Sequence, residues 1–250
     1  MDKIKVSIVQ KPSVNPIKFC ADATRLTFKH GVPFKSNDPT AMDKSIVKNL
    51  ILADHSPMEH CSYSILIEGA SRSFLAQIRT HRLMSFTSAS QHYLNFDDMD
   101  FVIPLEVFEK CEELNSKNPL LAFNDSYNES YKKYLETQKH FGLDHSVTRQ
   151  LTPQGARNNL LITANIRQLF TLLGRRECGR NTSEIAYVSW LIRKALIKEC
   201  PEIFELMGPP CYRFGKCSEG KLCCGNVWTV TGNPEEQRYI NLSALASKWR

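Results

Sequence analysis

Residues 77–93 limit the fold of this chain more than any other stretch; they read Gln-Ile-Arg-Thr-His-Arg-Leu-Met-Ser-Phe-Thr-Ser-Ala-Ser-Gln-His-Tyr. Arg79, His81, Arg82 and His92 stand there among small hydroxyl residues, with few bulky apolar side chains between them. A core strand of this composition would bury cations that each need a partner. A long solvated helix would rest on Thr, Ser and Phe, which are mediocre helix formers. What the stretch suits is an anion, because guanidinium groups fork onto phosphate oxygens while hydroxyls and backbone N–H groups complete a cradle. On residue chemistry alone, a phosphate or nucleotide site and a merely basic loop both stay open.

A chain of 250 residues can bury a sizeable core, and its 42% hydrophobic and 23% charged content is ordinary for a globular protein. A net charge of +6 fits an enzyme of anionic metabolites as well as a weak nucleic-acid binder. No apolar run approaches the ~20 residues of a membrane span. Met1-Asp2-Lys3-Ile4-Lys5-Val6 carries no signal-peptide apolar region, so a cytoplasmic protein is expected. Of nine cysteines, five (Cys200, Cys211, Cys217, Cys223 and Cys224) crowd one region, giving a Cys-rich segment 200–225 within a single domain 1–250. No bound metal is expected. The set a metal would draw on is Cys200, Cys211, Cys217 and Cys224, whose spacing matches no C-x-x-C knuckle; buried thiols or a disulfide are the other options.

Along the chain, Ile4, Val6 and Ile8 alternate with polar residues as in a half-buried strand. Helical patterns at 18–29 and 41–52 are separated by Gly31-Val32-Pro33 and the loop Ser36–Pro39. Ser56 and Pro57 start a capped turn. His55, Glu59 and His60 in it are metal-ligand types, but no further ligand follows at a recognised spacing, which leaves them structural. Ser62–Glu68 alternates as a strand, and Ser71–Thr80 reads as a helix, so the basic stretch begins on a helix end and runs into a loop. A short helix is expected between Ile103-Pro104 and Asn118-Pro119, and an amphipathic one over Asp125–Phe141. The tyrosines of the latter suit a core edge rather than a base-stacking platform. The segment from Thr152 to about Leu173 reads as another helix, whose Arg157 and Arg167 need carboxylates or a bound anion. Arg175–Arg180 is a second basic knot, and Ser183–Cys200 a clear helix.

Taken together, these pieces resemble the flavin-dependent thymidylate synthase family, whose signature is Arg-His-Arg, seven residues, then Ser. Here it reads Thr80-His81-Arg82, seven residues, then Ser90, with Gln77 before it, Ser85 within it and Tyr93 after it. Ser56-Pro57-x-Glu59-His60 matches an earlier family element, and Ala156-Arg157, Asn165-x-Arg167-x-Leu169, Arg176 and Glu184-Ile185 follow in order. The Gly-Pro-x-Cys and Cys-x-Glu-Gly endings resemble one branch of the family. The chain departs from the pattern at Thr80, at Thr87-Ser88, at His92 and Thr171, and at Asp54.

The resemblance implies an α/β (α+β) fold with a central, mainly antiparallel sheet flanked by helices. It implies a homotetramer with FAD at subunit interfaces, transferring a carbon from methylenetetrahydrofolate to C5 of dUMP, with NADPH reducing the flavin. Neither nucleic acid nor membrane is an expected partner. Arg176 would be the catalytic residue, contacting the uracil, and Arg157 would hold the phosphate. Gln77, Thr80, Ser88, Ala89, Ser90, Gln91 and His92 would surround the nucleotide. Ser56, Glu59, Thr80, His81, Arg82, Ser88, Asn165, Arg167 and Thr171 would bind FAD. His92 in place of an arginine would weaken nucleotide binding above about pH 7. Two alternatives remain: C5 methylation or hydroxymethylation of another pyrimidine nucleotide such as dCMP, and a non-catalytic flavin-, nucleotide- or RNA-binding protein.

Overall fold

A computed structural model of the chain describes residues 1–28, 30–31, 33–94, 100–225 and 234–250. At its centre is an antiparallel sheet of β1 (Lys5–Gln10), β2 (Ser62–Ser71), β3 (Ser85–Ser88) and β4 (Arg157–Asn165), in the order β1-β2-β4-β3. Period-two burial explains β2, where Tyr63, Ile65 and Ile67 are buried while Ser64, Leu66 and Glu68 are half-exposed. The helices are α1 (Pro16–Arg25), α2 (Ala41–Leu52), α3 (Arg72–Ile78), α4 (Leu105–Leu114), α5 (Asn118–Phe141) and α6 (His145–Thr148). After β4 come α7 (Ile166–Arg176), α8 (Ser183–Glu199), α9 (Pro201–Phe204), α10 (Pro210–Phe214), α11 (Pro234–Ile240) and α12 (Leu242–Trp249). One apolar core draws on residues from Met1 to Trp249. No helix among the described residues is long and apolar enough to cross a membrane.

The expected helix over 152–173 is corrected: its first half is β4. Leu160, Ile162 and Ala164 are buried and alternate with half-exposed Leu161, Thr163 and Asn165, and Ile65 and Ile67 of β2 pair with Ile162 and Leu160. In sequence this short apolar run fits a helix as well as a strand, and pairing on both edges decides for the strand. Asn165 then ends the strand and caps α7, its side chain accepting from the Gln168 N–H at 2.9 Å. The expected loop after Thr80 is corrected in part. Ser85–Ser88 forms an edge strand on β4 that contains none of the stretch's cations. Helix α1 starts earlier than residue 18 because Asn15 caps it and Pro16 takes its first position. It also ends at Arg25, short of the expected residue 29, with Leu26 as its C-cap; Lys29 itself and Val32, in the following break, lie outside the described residues.

Candidate functional site

Helix α3 carries the opening stretch and is fixed at its start. Ser71 caps it by accepting from the Phe74 N–H at 3.0 Å, and Glu184 of α8 in turn accepts from the Ser71 N–H at 2.7 Å and from its hydroxyl. Arg72, Ala76 and Arg79 therefore lie along one face of α3 and its C-terminal cap, at i, i+4 and i+7. That face forms one wall of a cleft of about 600 Å³, and Ser88–Gln91 and the segment Arg149–Asn158 form the rest.

Three arginines, Arg72, Arg79 and Arg149, line the cleft, and among the described residues no carboxylate does. Arg79 donates to the Ser88 hydroxyl. Arg72 donates to the Thr152 hydroxyl and, at 3.4 Å, to the Arg149 carbonyl, while Gln91 reaches the same Thr152 hydroxyl at 3.2 Å. Asn158 donates to the Ala89 carbonyl at 3.0 Å, and its own carbonyl oxygen is buried with no partner among the described residues. Burial, and after it the charge of Arg149, pushes the Arg72 guanidinium below its ordinary range. A bound anion would relieve that repulsion and use the donors left over.

A second group sits on the adjoining side of the α3 C-terminus. Arg176, at the end of α7, donates through Nε to His81 Nε2 at 3.0 Å. Its Nη2 donates to the Thr80 hydroxyl at 2.8 Å and the Gln77 carbonyl at 3.3 Å. His81 is buried, and burial followed by the charges of Arg176 and Arg175 lowers its pKa to about 4. It is thus a neutral acceptor that holds a guanidinium in place. Desolvation, then Arg175, lowers Arg176 as well, yet a guanidinium stays charged near neutrality.

The residues expected around FAD lie along α7 and beside it. Arg167 pairs with Asp54 at 3.0 Å and Glu59 at 2.5 Å. Thr171 donates to the Arg167 carbonyl at 3.2 Å, and Arg82 is exposed. Ser56 opens a 3-10 turn and lines a cavity of about 500 Å³ with Thr24, Thr27, Phe28 and Asn49.

Four expectations are not met by these positions. Arg157 is not in the cleft; on β4 it points to the opposite face from Asn158, which is. Its guanidinium donates to the Gly69 carbonyl at 2.6 Å and Asp100 at 3.1 Å, with Nη2 buried and unpartnered among the described residues. The His92 ring is exposed and packs edge-on against Tyr93, 4.8 Å between centroids, instead of lining the cleft. Gln77, Thr80 and Arg176 are grouped, but apart from Ser88–Gln91. Cys200 is separate from Cys211, Cys217 and Cys224: it is buried near Cys20 and Cys61, and the thiol that joins the C-terminal set is Cys178. Arg72 and Arg149 were missed in sequence, and Arg79 was read only as one cation of the basic stretch, with no ligand assigned to it. Two arginines two helical turns apart on α3 were a legible signal; Arg149 precedes a segment read as helix and offered none.

The family model of thymidylate synthase complementing proteins matches residues 9–202. A flavin-dependent thymidylate synthase of Thermococcus onnurineus is 34% identical over 184 residues, covering 70% of this chain and 72% of that one. One from Clostridium tetani is 25% identical over 239 residues, covering 90% and 94%. Among solved structures, the UMP/dUMP methylase PolB from Streptomyces cacaoi, bound with 5-Br dUMP, has a similar fold. Its TM-score is 0.67 at 18% identity, over 81% of this chain and 94% of that one.

Proposed function

The chain belongs to the flavin-dependent thymidylate synthase family, and from that premise we propose that it methylates C5 of dUMP to give dTMP. It is an enzyme of the methyltransferase class. The observation that carries the substrate is the cleft, where three arginines and two serines meet no carboxylate among the described residues. A nucleoside 5′-monophosphate dianion matches that charge, and Arg72, Arg79 and Arg149 would share its phosphate. Arg79 is offset by one residue from the signature position occupied by Thr80, and with its neighbours it supplies the charge that Thr80 and His92 do not.

Arg176 would contact the uracil ring edge and favour its N3-ionised form, since a guanidinium offers paired donors without losing its proton. Neutral His81 and Thr80 would keep it aimed. FAD fits the second group: helix α7 has 11 residues, about 16 Å at the ordinary rise, the scale of a dinucleotide. Asn165, Arg167 and Thr171 are spaced along it and His81 and Arg82 stand at its far end. Asp54 and Glu59 suit ribose hydroxyls rather than phosphate, and Ser56 opens onto the neighbouring cavity. When bound, FAD would supply the redox chemistry that the protein side chains lack. Methylenetetrahydrofolate and NADPH would be the carbon donor and reductant.

The cleft and Arg176 are separate on one chain, and Leu83 and Tyr93, 76% and 80% exposed, flank the stretch between them. Both facts support a homotetramer in which one copy offers Arg176 to the cleft of another. With nine cysteines and no disulfide, a cytoplasmic setting fits. The test is to incubate the FAD-loaded protein with dUMP, dCMP, methylenetetrahydrofolate and NADPH and to weigh the nucleotides. Methylated dUMP is expected. A methylated or hydroxymethylated dCMP, or unchanged dUMP, would overturn the reading.

A further inference from the structure

Three of the nine cysteines line one cavity that the proposed reaction does not use, and two more adjoin them through Cys217. The cavity, about 530 Å³, is lined by Cys178, Cys211 and Cys217 together with Arg175, Arg180 and Glu219. Cys223 is hydrogen-bonded through its thiol to both Cys217 and Cys224, and Cys178 lies within electrostatic reach of Cys224 and Cys211. These residues come from three separate places: the turn after α7, helix α10, and the segment 217–225. Arg180 pairs with Glu219 and ties the first to the third.

Three of the sulfurs share one local geometry. The Glu219 N–H donates to Cys217 Sγ and the Gly225 N–H to Cys223 Sγ, each at 3.4 Å, and the Arg180 N–H donates to Cys178. In every case the donor is two residues after the cysteine. Gly220 and Gly225 take the positive φ values of +55° and +81° in the turns that follow Cys217 and Cys223. Backbone N–H groups aimed at sulfur favour the thiolate and orient it, as outer-shell donors do around a metal. By contrast, Cys20, Cys61 and Cys200 are buried in the core without such a cavity.

We propose that Cys178, Cys211, Cys217 and one of the adjacent pair Cys223–Cys224 bind a zinc ion. As they stand, no three His, Cys, Asp or Glu side chains among the described residues already converge on one point, so the ion draws the sulfurs together. Each ligand cysteine releases one proton as its S–Zn bond forms. Four thiolates and Zn²⁺ leave a charge of about −2, which Arg175 at the cavity wall partly offsets. The site pins the end of α7 two residues beyond Arg176, so its role is structural and positioning.

Zinc measured by mass spectrometry in the full-length protein, purified without chelator, tests this. The expectation is about one zinc per chain, falling at least tenfold in Cys178→Ser and Cys217→Ser and unchanged in Cys111→Ala, with only one of Cys223→Ser and Cys224→Ser losing it. Cobalt(II) added to the chelator-stripped wild-type chain gives a readout that needs no variant: tetrahedral d–d bands and a sulfur-to-cobalt charge-transfer band are expected. Less than about a tenth of a zinc per chain, a weak octahedral cobalt spectrum, or a Cys217–Cys223 disulfide in the native protein would each overturn the proposal.

Discussion

Two groups of arginines in this molecule differ in what answers them. Arg157, Arg167 and Arg193 each meet a carboxylate, at Asp100, at Asp54 with Glu59, and at Glu177. Arg72, Arg79 and Arg149 line a cleft without an acidic side chain among the described residues, where Arg72 and Arg79 meet hydroxyls and a carbonyl, and Arg176 meets a neutral histidine. The first group holds the protein together, most firmly at Arg193, whose removal would strand the buried Glu177. The second carries positive charge that no described carboxylate balances, which leaves it to solvent or a ligand. The comparison teaches that an arginine's place in a signature says less about its task than the carboxylates within its reach.

The largest expected effect is at Arg176. Arg176→Ala should lower kcat by at least ~10²–10³-fold, the scale for losing a group aimed at developing charge, while the flavin absorbance of the purified protein is kept. Turnover near the wild-type rate would remove Arg176 from the mechanism. Next come Arg79→Ala and Arg149→Ala, each forfeiting a charge-assisted bond of about 1.5–3 kcal/mol. Titration with dUMP should show roughly 10- to 100-fold weaker binding in each, with thermal stability nearly unchanged. Arg157→Ala should do the reverse, lowering stability by about 1–3 kcal/mol through the loss of Asp100 and the Gly69 carbonyl, with dUMP affinity within about twofold of wild type.

The histidines sharpen the contrast through pH. His81 titrates at about 4 in the folded chain, below the ordinary 6.5, so protonation favours unfolding. Its contribution, at most about 3 kcal/mol, is complete above pH 6.5 and is lost as the pH falls toward 4. His81→Gln should flatten the part of a denaturation-against-pH curve in that window; an unaltered curve would contradict the buried, neutral His81. The smallest effect is expected at His92. With its ring on Tyr93, His92→Ala should change dUMP affinity less than about twofold, and the affinity should not fall from pH 6 to 8, because the cleft's arginines do not titrate there while the nucleotide's phosphate completes its second ionisation, at about pH 6. A fall in affinity over that range would return the phosphate to His92.

Most of the fold was legible in the sequence where burial has one period. The alternation at Ser62–Glu68 and the helical spacing of α2 announce themselves, since each element buries a single face; α8 is legible by its length and apolar content, being buried on every side from Ile185 to Trp190. Strand β4 was not legible as a strand, because its apolar run fits a helix until β2 and β3 are seen to pair with it. The site was half legible. His81, Thr80 and Arg176 could be picked from the signature and do converge. Arg157 and Arg149 could not be told apart from sequence, since the difference is that β4 turns Arg157 toward Asp100 and Gly69 while Arg149 faces the cleft from before the strand. Cys178 joins the C-terminal thiols across 32 intervening positions in the sequence, which only the packing of α7 and α10 reveals.

The account rests on the unanswered arginines of the cleft, and equilibrium titration of dUMP against Arg79→Ala and Arg157→Ala at one pH and one salt concentration tests it most directly. The prediction is a loss of roughly tenfold or more for Arg79→Ala and none beyond about twofold for Arg157→Ala. The opposite ranking would contradict it and place the phosphate on the far face of β4.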